Sequence, residues 1–187
     1  MASTRIAQGV SRVPEDVFIE DGMEVVAGGL TVTAGTTTIG GSFVRDLVTL
    51  TATDAITVAE HAGRILLMGE VGGDAAATFT LPAATGSGAE FQFIVSVVNT
   101  SNYIIKVADA TDTIDGSVIL HQDSANTVAS FNTAADSDTI TLNGSTQGGV
   151  SIGDEITLID IATNQYMVKG VLTGSGTEAT PFSASVS

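Results

Sequence analysis

From Asp46 to about Gly170 the chain is a succession of short runs rich in Val, Ile, Thr and Phe, each closed off by Gly, Asn, Asp or Pro. Runs of this kind place alternate side chains on opposite faces of a pleat, and β-branched and aromatic residues fit such a half-buried surface. Ten of them are predicted as strands: 47–52, 64–68, 78–81, 91–98, 103–107, 117–120, 127–131, 139–142, 155–159 and 166–169. Turn chemistry lies between them at Gly86-Ser87-Gly88, Asn99-Thr100-Ser101-Asn102, Asp115-Gly116 and Asn143-Gly144, with Gly available where φ must be positive. One helical turn is predicted at Val58-Ala59-Glu60-His61-Ala62, stopped by Gly63. Many short strands without a long helical stretch predict an all-β domain, a β-sandwich or jelly-roll-like fold over 46–170.

The flanks read differently. Residues 23–45 form a short Gly-punctuated strand unit, with Gly28-Gly29 and Gly40-Gly41 twelve residues apart, each before an apolar and Thr-rich stretch. So small a unit cannot bury its apolar side alone. Neighbouring copies of the chain are the expected cover, with Val25, Leu30, Val32, Ile39 and Phe43 as subunit-interface residues. Residues 1–22 hold Arg5 and Arg12, then Glu15, Asp16, Glu20 and Asp21 interleaved with Val13, Val17, Phe18 and Ile19. Their periodicity fits neither helix nor strand, and Pro14 discourages a helix just before it. Two readings fit: a frayed terminus, or an extended arm that orders against a partner through its apolar residues. Residues 171–187, rich in Gly, Ser and Thr, are expected to be an extended tail or an edge strand.

Composition narrows the function. Twenty-one acidic and six basic side chains give a net charge of −15. A protein that tracks phosphates needs a basic stripe, and an anionic membrane attracts basic segments, so neither nucleic acid nor membrane is an expected partner. With no Cys, there is no disulfide framework, thiolate metal site or thiol nucleophile. The first eight residues lack an apolar signal core. The charge-free run 25–44 carries five Gly and five Thr in alternation, a poor match to a lipid-facing helix. Synthesis in a cytoplasm is therefore expected, and the sequons at Asn99 and Asn143 carry no glycosylation message.

Catalytic motifs are weak. Gly149-Val150-Ser151-Ile152-Gly153 matches the nucleophile-elbow pattern, yet the following Asp154-Glu155-Ile156-Thr157-Leu158-Ile159 alternates like a strand where an elbow needs a helix. His61 and His121 are the only imidazoles, in unlike settings and at no metal-ligand spacing. Asp109, Asp112 and Asp115 stand three residues apart, but the twelfth position counted from Asp109 is Leu120, so the EF-hand pattern fails. A loop calcium site remains an alternative to simple turn capping there, and Asp136-Ser137-Asp138 reads the same way. Paired glycosidase carboxylates meet in space and leave no spacing to test, and seven Phe, two Tyr and no Trp are thin material for a sugar-stacking groove. A non-enzyme without cofactor or metal is expected.

Four segments together resemble a β-rich domain of tailed-bacteriophage virion proteins, found in fibres and on capsid surfaces. They are Val58-Ala59-Glu60-His61-Ala62-Gly63-Arg64-Ile65-Leu66-Leu67, the run from Thr78 through Thr80-Leu81-Pro82-Ala83-Ala84-Thr85-Gly86-Ser87-Gly88 to Phe91, Asp112-Thr113-Ile114-Asp115-Gly116-Ser117, and Glu155-Ile156-Thr157-Leu158-Ile159-Asp160. The resemblance covers about 46–170 and is most specific in the run from Thr80 to Gly88; an aromatic pair common near the last strand is reduced here to Tyr166. It implies a structural virion protein, usually a trimer. A long shaft is missing, and one domain with an arm resembles a capsid decoration (cement) protein. On that expectation Arg5, Arg12, Val13, Phe18 and Ile19 bind the major capsid protein on the outer surface of the head, and a homotrimer bridges capsomer seams. The alternatives are a short head or tail fibre or tail adaptor, a host-glycan-binding fibre tip, and a fibre-borne depolymerase.

Overall fold

The computed structural model describes residues 42–186. Within them twelve strands and one helical turn follow in order: β1 (Leu47–Leu50), β2 (Asp54–Ala55), α1 (Val58–His61), β3 (Ile65–Met68), β4 (Ala77–Thr80), β5 (Glu90–Val95), β6 (Tyr103–Lys106), β7 (Thr113–Gln122), β8 (Val128–Asn132), β9 (Thr139–Leu142), β10 (Glu155–Ala162), β11 (Gln165–Gly174) and β12 (Phe182–Ser183). They build a seven-stranded sheet, β1-β3-β5-β10-β11-β7-β8, and a five-stranded sheet, β12-β9-β6-β4-β2. All ten predicted strands and the single helical turn are present, and the fold is an all-β sandwich.

The first six strands alternate between the two sheets. Each circuit adds one strand to each sheet in the same direction, so β1/β3, β3/β5, β2/β4 and β4/β6 all pair parallel. From β7 onward hairpin-like pairs bring antiparallel neighbours, as in β7/β8 and β10/β11, while β11 lies parallel to β7.

Alternation decides which face is buried. In β5, Phe91, Phe93 and Val95 point inward, and in β10 Ile156, Leu158 and Asp160 do so. The centre is aromatic: Phe79 of β4 stacks on Phe93 across the two sheets at 5.9 Å and on Tyr103 of β6 at 6.0 Å. Each buried Phe contributes about 1.5–3 kcal/mol of burial free energy, which substitutes for the absent Trp as core filler. The two tyrosine hydroxyls are satisfied within the core. Tyr103 donates to the Val97 carbonyl at 2.9 Å and accepts from the Glu70 N–H at 3.0 Å, and Tyr166 donates to the Pro82 carbonyl at 2.8 Å.

Two local expectations are corrected. Asp115-Gly116 is not a turn: both residues lie inside β7, with Gly116 in register with Val168 of β11. Gly116 has φ 146°, and a Cβ there would overlap the Val168 carbonyl oxygen. Gly serves here to let two backbones approach, not to reverse the chain. The boundary at 170/171 is also crossed, because β11 continues to Gly174 and Phe182–Ser183 adds an edge strand to β9. Asp138 ties that tail down, accepting from the Ser185 and Val186 N–H groups at 2.8 and 3.1 Å.

Candidate functional site

Three segments distant in sequence, 82–88, 112–117 and 155–160, meet at one corner of the sandwich. Asp160, at the inward-facing end of β10, is 2% exposed. Its carboxylate accepts from the N–H groups of Thr85 (3.0 Å), Gly86 (2.7 Å) and Ser87 (2.9 Å) and from the hydroxyls of Thr85 (3.2 Å) and Ser87 (2.6 Å). Successive N–H groups aimed at one anion form a concave nest, and Gly86 at φ 77° provides the backbone conformation that lets them converge. Burial by itself raises the Asp160 carboxyl, but the Ser87 hydroxyl and the N–H groups of Ser87, Gly86 and Thr85 outweigh it and hold the pKa down at about 2.

The neighbouring contacts close the corner. Asp112, just before β7, accepts from the Ala84 N–H at 3.2 Å, and burial with the Asp109 and Asp160 charges nearby raises its carboxyl. Tyr166 reaches Pro82, and burial next to the same carboxylates, Asp160 and Asp112, raises its phenol. The Gly63 N–H, at the end of the helical turn, donates to the Glu90 carbonyl at 2.8 Å. Thus the loop from Pro82 to Gly88 is held from the approach to β7, from β10 and from β11, and α1 is pinned to β5 beside it. The corner is a structural clamp whose acceptors are already occupied by protein donors. Asp160 was readable as an oddity in the sequence, being the one charged residue at an inward position of the Glu155–Ala162 alternation.

The aspartates proposed as a loop calcium site point to separate tasks. Asp109 accepts from the Thr111 N–H and hydroxyl, Asp112 from Ala84, and Asp115 from the Gln165 amide at 2.7 Å. Among the described residues no group of three or more His, Cys, Asp or Glu side chains is placed to hold a metal ion. Ser151 lies in the loop between β9 and β10 with no helix after it, so the elbow pattern lacks its strand-to-helix context. The loop's acidic residue has a structural partner set instead: Asp154 accepts from the Gly149 and Thr173 N–H groups at 2.8 and 2.9 Å through one oxygen. His61 is buried in α1, where its Nδ1 accepts the Thr57 N–H at 3.0 Å, whereas His121 is exposed on β7.

Arg5, Arg12, Val13, Phe18 and Ile19, and the interface residues Val25, Leu30, Val32 and Ile39, lie outside the described residues. Phe43 is described and is 72% exposed. Among the described residues no helix is long and apolar enough to cross a membrane. Compared with family models, with curated proteins and with solved structures, the chain matches none.

Proposed function

We propose that this chain is a structural virion protein of a tailed bacteriophage, a capsid decoration protein that acts as a trimer rather than as an enzyme. The resemblance supports this reading, and its most specific segment, Thr80–Gly88, forms the loop that Asp112 and Asp160 hold through hydrogen bonds.

In this reading the sandwich is the outward body and residues 1–22 are the arm. Arg5 and Arg12 pair with shell carboxylates, and Val13, Phe18 and Ile19 bury against the major capsid protein, with extended backbone adding to exposed strand edges. Three arms engaged at once raise avidity by about 10²–10⁴ over one arm. Contacts across capsomer seams then oppose the outward pressure of packaged DNA. The acidic body resists non-specific association with the nucleic acid released around it.

Deletion of residues 1–20 tests the arm directly. The truncated protein is expected to keep its unfolding transition and its oligomeric mass while failing to co-sediment with capsids that lack the decoration. Full decoration by the truncated protein rejects the arm, and a low copy number per virion favours a head or tail fibre instead.

A further inference from the structure

We propose that Asn143-Gly144 is a latent site of spontaneous deamidation that the fold holds shut, with the C-terminal tail as its strap. Asn143 is the only Asn in the chain that Gly follows. This pair is the most reactive setting for an Asn, because Gly carries no side chain to hinder its own backbone nitrogen. That nitrogen attacks the Asn Cγ and a C–N bond forms. The side-chain NH2 leaves as ammonia, carrying the proton that the Gly nitrogen gives up. Water then opens the cyclic imide at one of its two carbonyls, leaving Asp or isoaspartate.

The native loop opposes ring closure at both reacting atoms. Asn143 follows β9 and is half-buried in the loop that leads to β10. The attacking nitrogen is occupied: the Gly144 N–H donates to the Gly148 carbonyl at 3.0 Å. Gly144 has φ 64°, and a Cβ there would overlap the Asn99 carbonyl oxygen, so its backbone is wedged against a neighbouring loop. The amide under attack is fixed as well. Asn143 Oδ1 accepts from the Ser145 and Gln147 N–H groups, both at 2.9 Å, and Nδ2 donates to Thr146 Oγ1 at 3.3 Å. The two donors polarise Cγ, yet they also tie the side chain in place. Drawing Cγ and the Gly144 nitrogen to bonding distance turns the side chain and the peptide together, and these bonds open first.

The tail fastens this loop from outside. The Ser175 N–H donates to the Ser145 carbonyl at 3.1 Å and the Ala179 N–H to the Thr146 carbonyl at 2.9 Å. Gln147 Nε2 donates to the Thr180 carbonyl at 2.7 Å. Just beyond, Phe182 is buried and pairs with Ile140 of β9. Opening of residues 143–148 therefore strips contacts from 175–180 as well. Local openings of this kind set the rate of slow chemistry in a folded loop. Each hydrogen bond that must open lowers the reactive population by about two- to tenfold.

Peptide mapping by mass spectrometry of the full chain tests this, by following amide-to-acid conversion at Asn143 in mildly alkaline buffer. The native chain is compared with the chain unfolded in guanidinium chloride at the same pH and temperature. Native conversion is expected to be at least about tenfold slower; a smaller ratio overturns the guard. Two variants test the strap. Gln147→Ala removes the side-chain contact to Thr180, and Ala179→Pro removes the N–H that bonds Thr146. Each is expected to speed native conversion by about two- to tenfold and to leave the rate in guanidinium unchanged. Thermal unfolding identifies a variant that does not fold, and Gln147→Ala, a loop side-chain truncation, keeps the test valid if Ala179→Pro fails. Unchanged native rates in the folded variants overturn the strap. Ser130→Ala, exposed on β8, is expected to convert as wild type, and equal acceleration there overturns the strap too.

Discussion

Replacing Asp160 with Asn tests whether the corner is a clamp and whether its charge is the working part. In the native structure one carboxylate satisfies three backbone N–H groups and two hydroxyls. An Asn oxygen can keep part of that set, but its amide presents hydrogens to a site made entirely of donors. The two hydroxyls can turn to water, since Thr85 and Ser87 are exposed, so their loss costs little. The three N–H groups lose charge-assisted bonds worth about 1 kcal/mol net each, giving a destabilisation of about 3 kcal/mol at pH 7. The pH dependence separates charge from shape. Because the native carboxyl is lowered from 3.8 to about 2, its contribution is complete above the unfolded value and lost as pH falls through the folded one. That titrating part amounts to about 1–2 kcal/mol once the exposure of the loop is allowed for. Urea unfolding of wild type and Asp160→Asn at several pH values reads both quantities. The gap between them is expected to be widest above about pH 4 and to narrow towards pH 2. A gap below about 0.5 kcal/mol at pH 7, or one that stays constant down to pH 2, refutes the clamp. Ser87→Ala adds a check when made in both backgrounds: it should cost measurably in wild type and almost nothing in the Asp160→Asn variant.

Asp154 should respond in the opposite sense. Burial raises its carboxyl against the opposing N–H groups of Thr173 and Gly149, so its charge lowers stability progressively as pH rises past the usual carboxylate range. One oxygen takes both N–H groups, and an Asn oxygen can do the same; Asp154→Asn is expected to stay within about 1 kcal/mol of wild type at pH 7 by urea unfolding, and to fall below it only in acid. Gly116→Ala is expected to cost about 2–4 kcal/mol or to prevent folding, because its Cβ would overlap the Val168 carbonyl in the middle of a parallel pair. Gly88→Ala, at φ 74° with open space around it, should cost only about 1–2 kcal/mol, so equal losses in thermal unfolding would reject the close-approach account.

The Thr80–Gly88 run has a tertiary role that its local sequence does not display. As sequence, this run was the most specific part of a resemblance, with two glycines marking a turn. In the fold it is a loop hydrogen-bonded by Asp112 from the approach to β7, by Asp160 of β10 and by Tyr166 of β11, all far along the chain. Such a clamp protects an exposed loop, since loops that open are where proteolysis begins.

Sequence alone determined ten of the twelve strands, the single helical turn and most of the loops, because period-two alternation, β-branched runs and Gly or Asn punctuation act on neighbouring residues. It also marked the imbalance of charge, which is a property of composition. Tertiary structure decided which sheet each strand joins. The circuit of β1 to β6 between two sheets, and the parallel pairing it imposes, leaves no trace in any one segment. Asp112, Asp115 and Asp154 look alike in sequence as loop or strand-end acids, and Asp160 stands out only as a charge at an inward strand position. Their separate roles depend on donors such as Ala84, Gln165 and the Thr85–Ser87 loop, up to 75 residues away. Gly116 reads as a turn residue locally and is a strand residue because Val168 lies against it. Neighbours across the sheet arise in the same way: Leu67, Ile94, Glu155, Val171 and Ile119 share one row only when register aligns five strands.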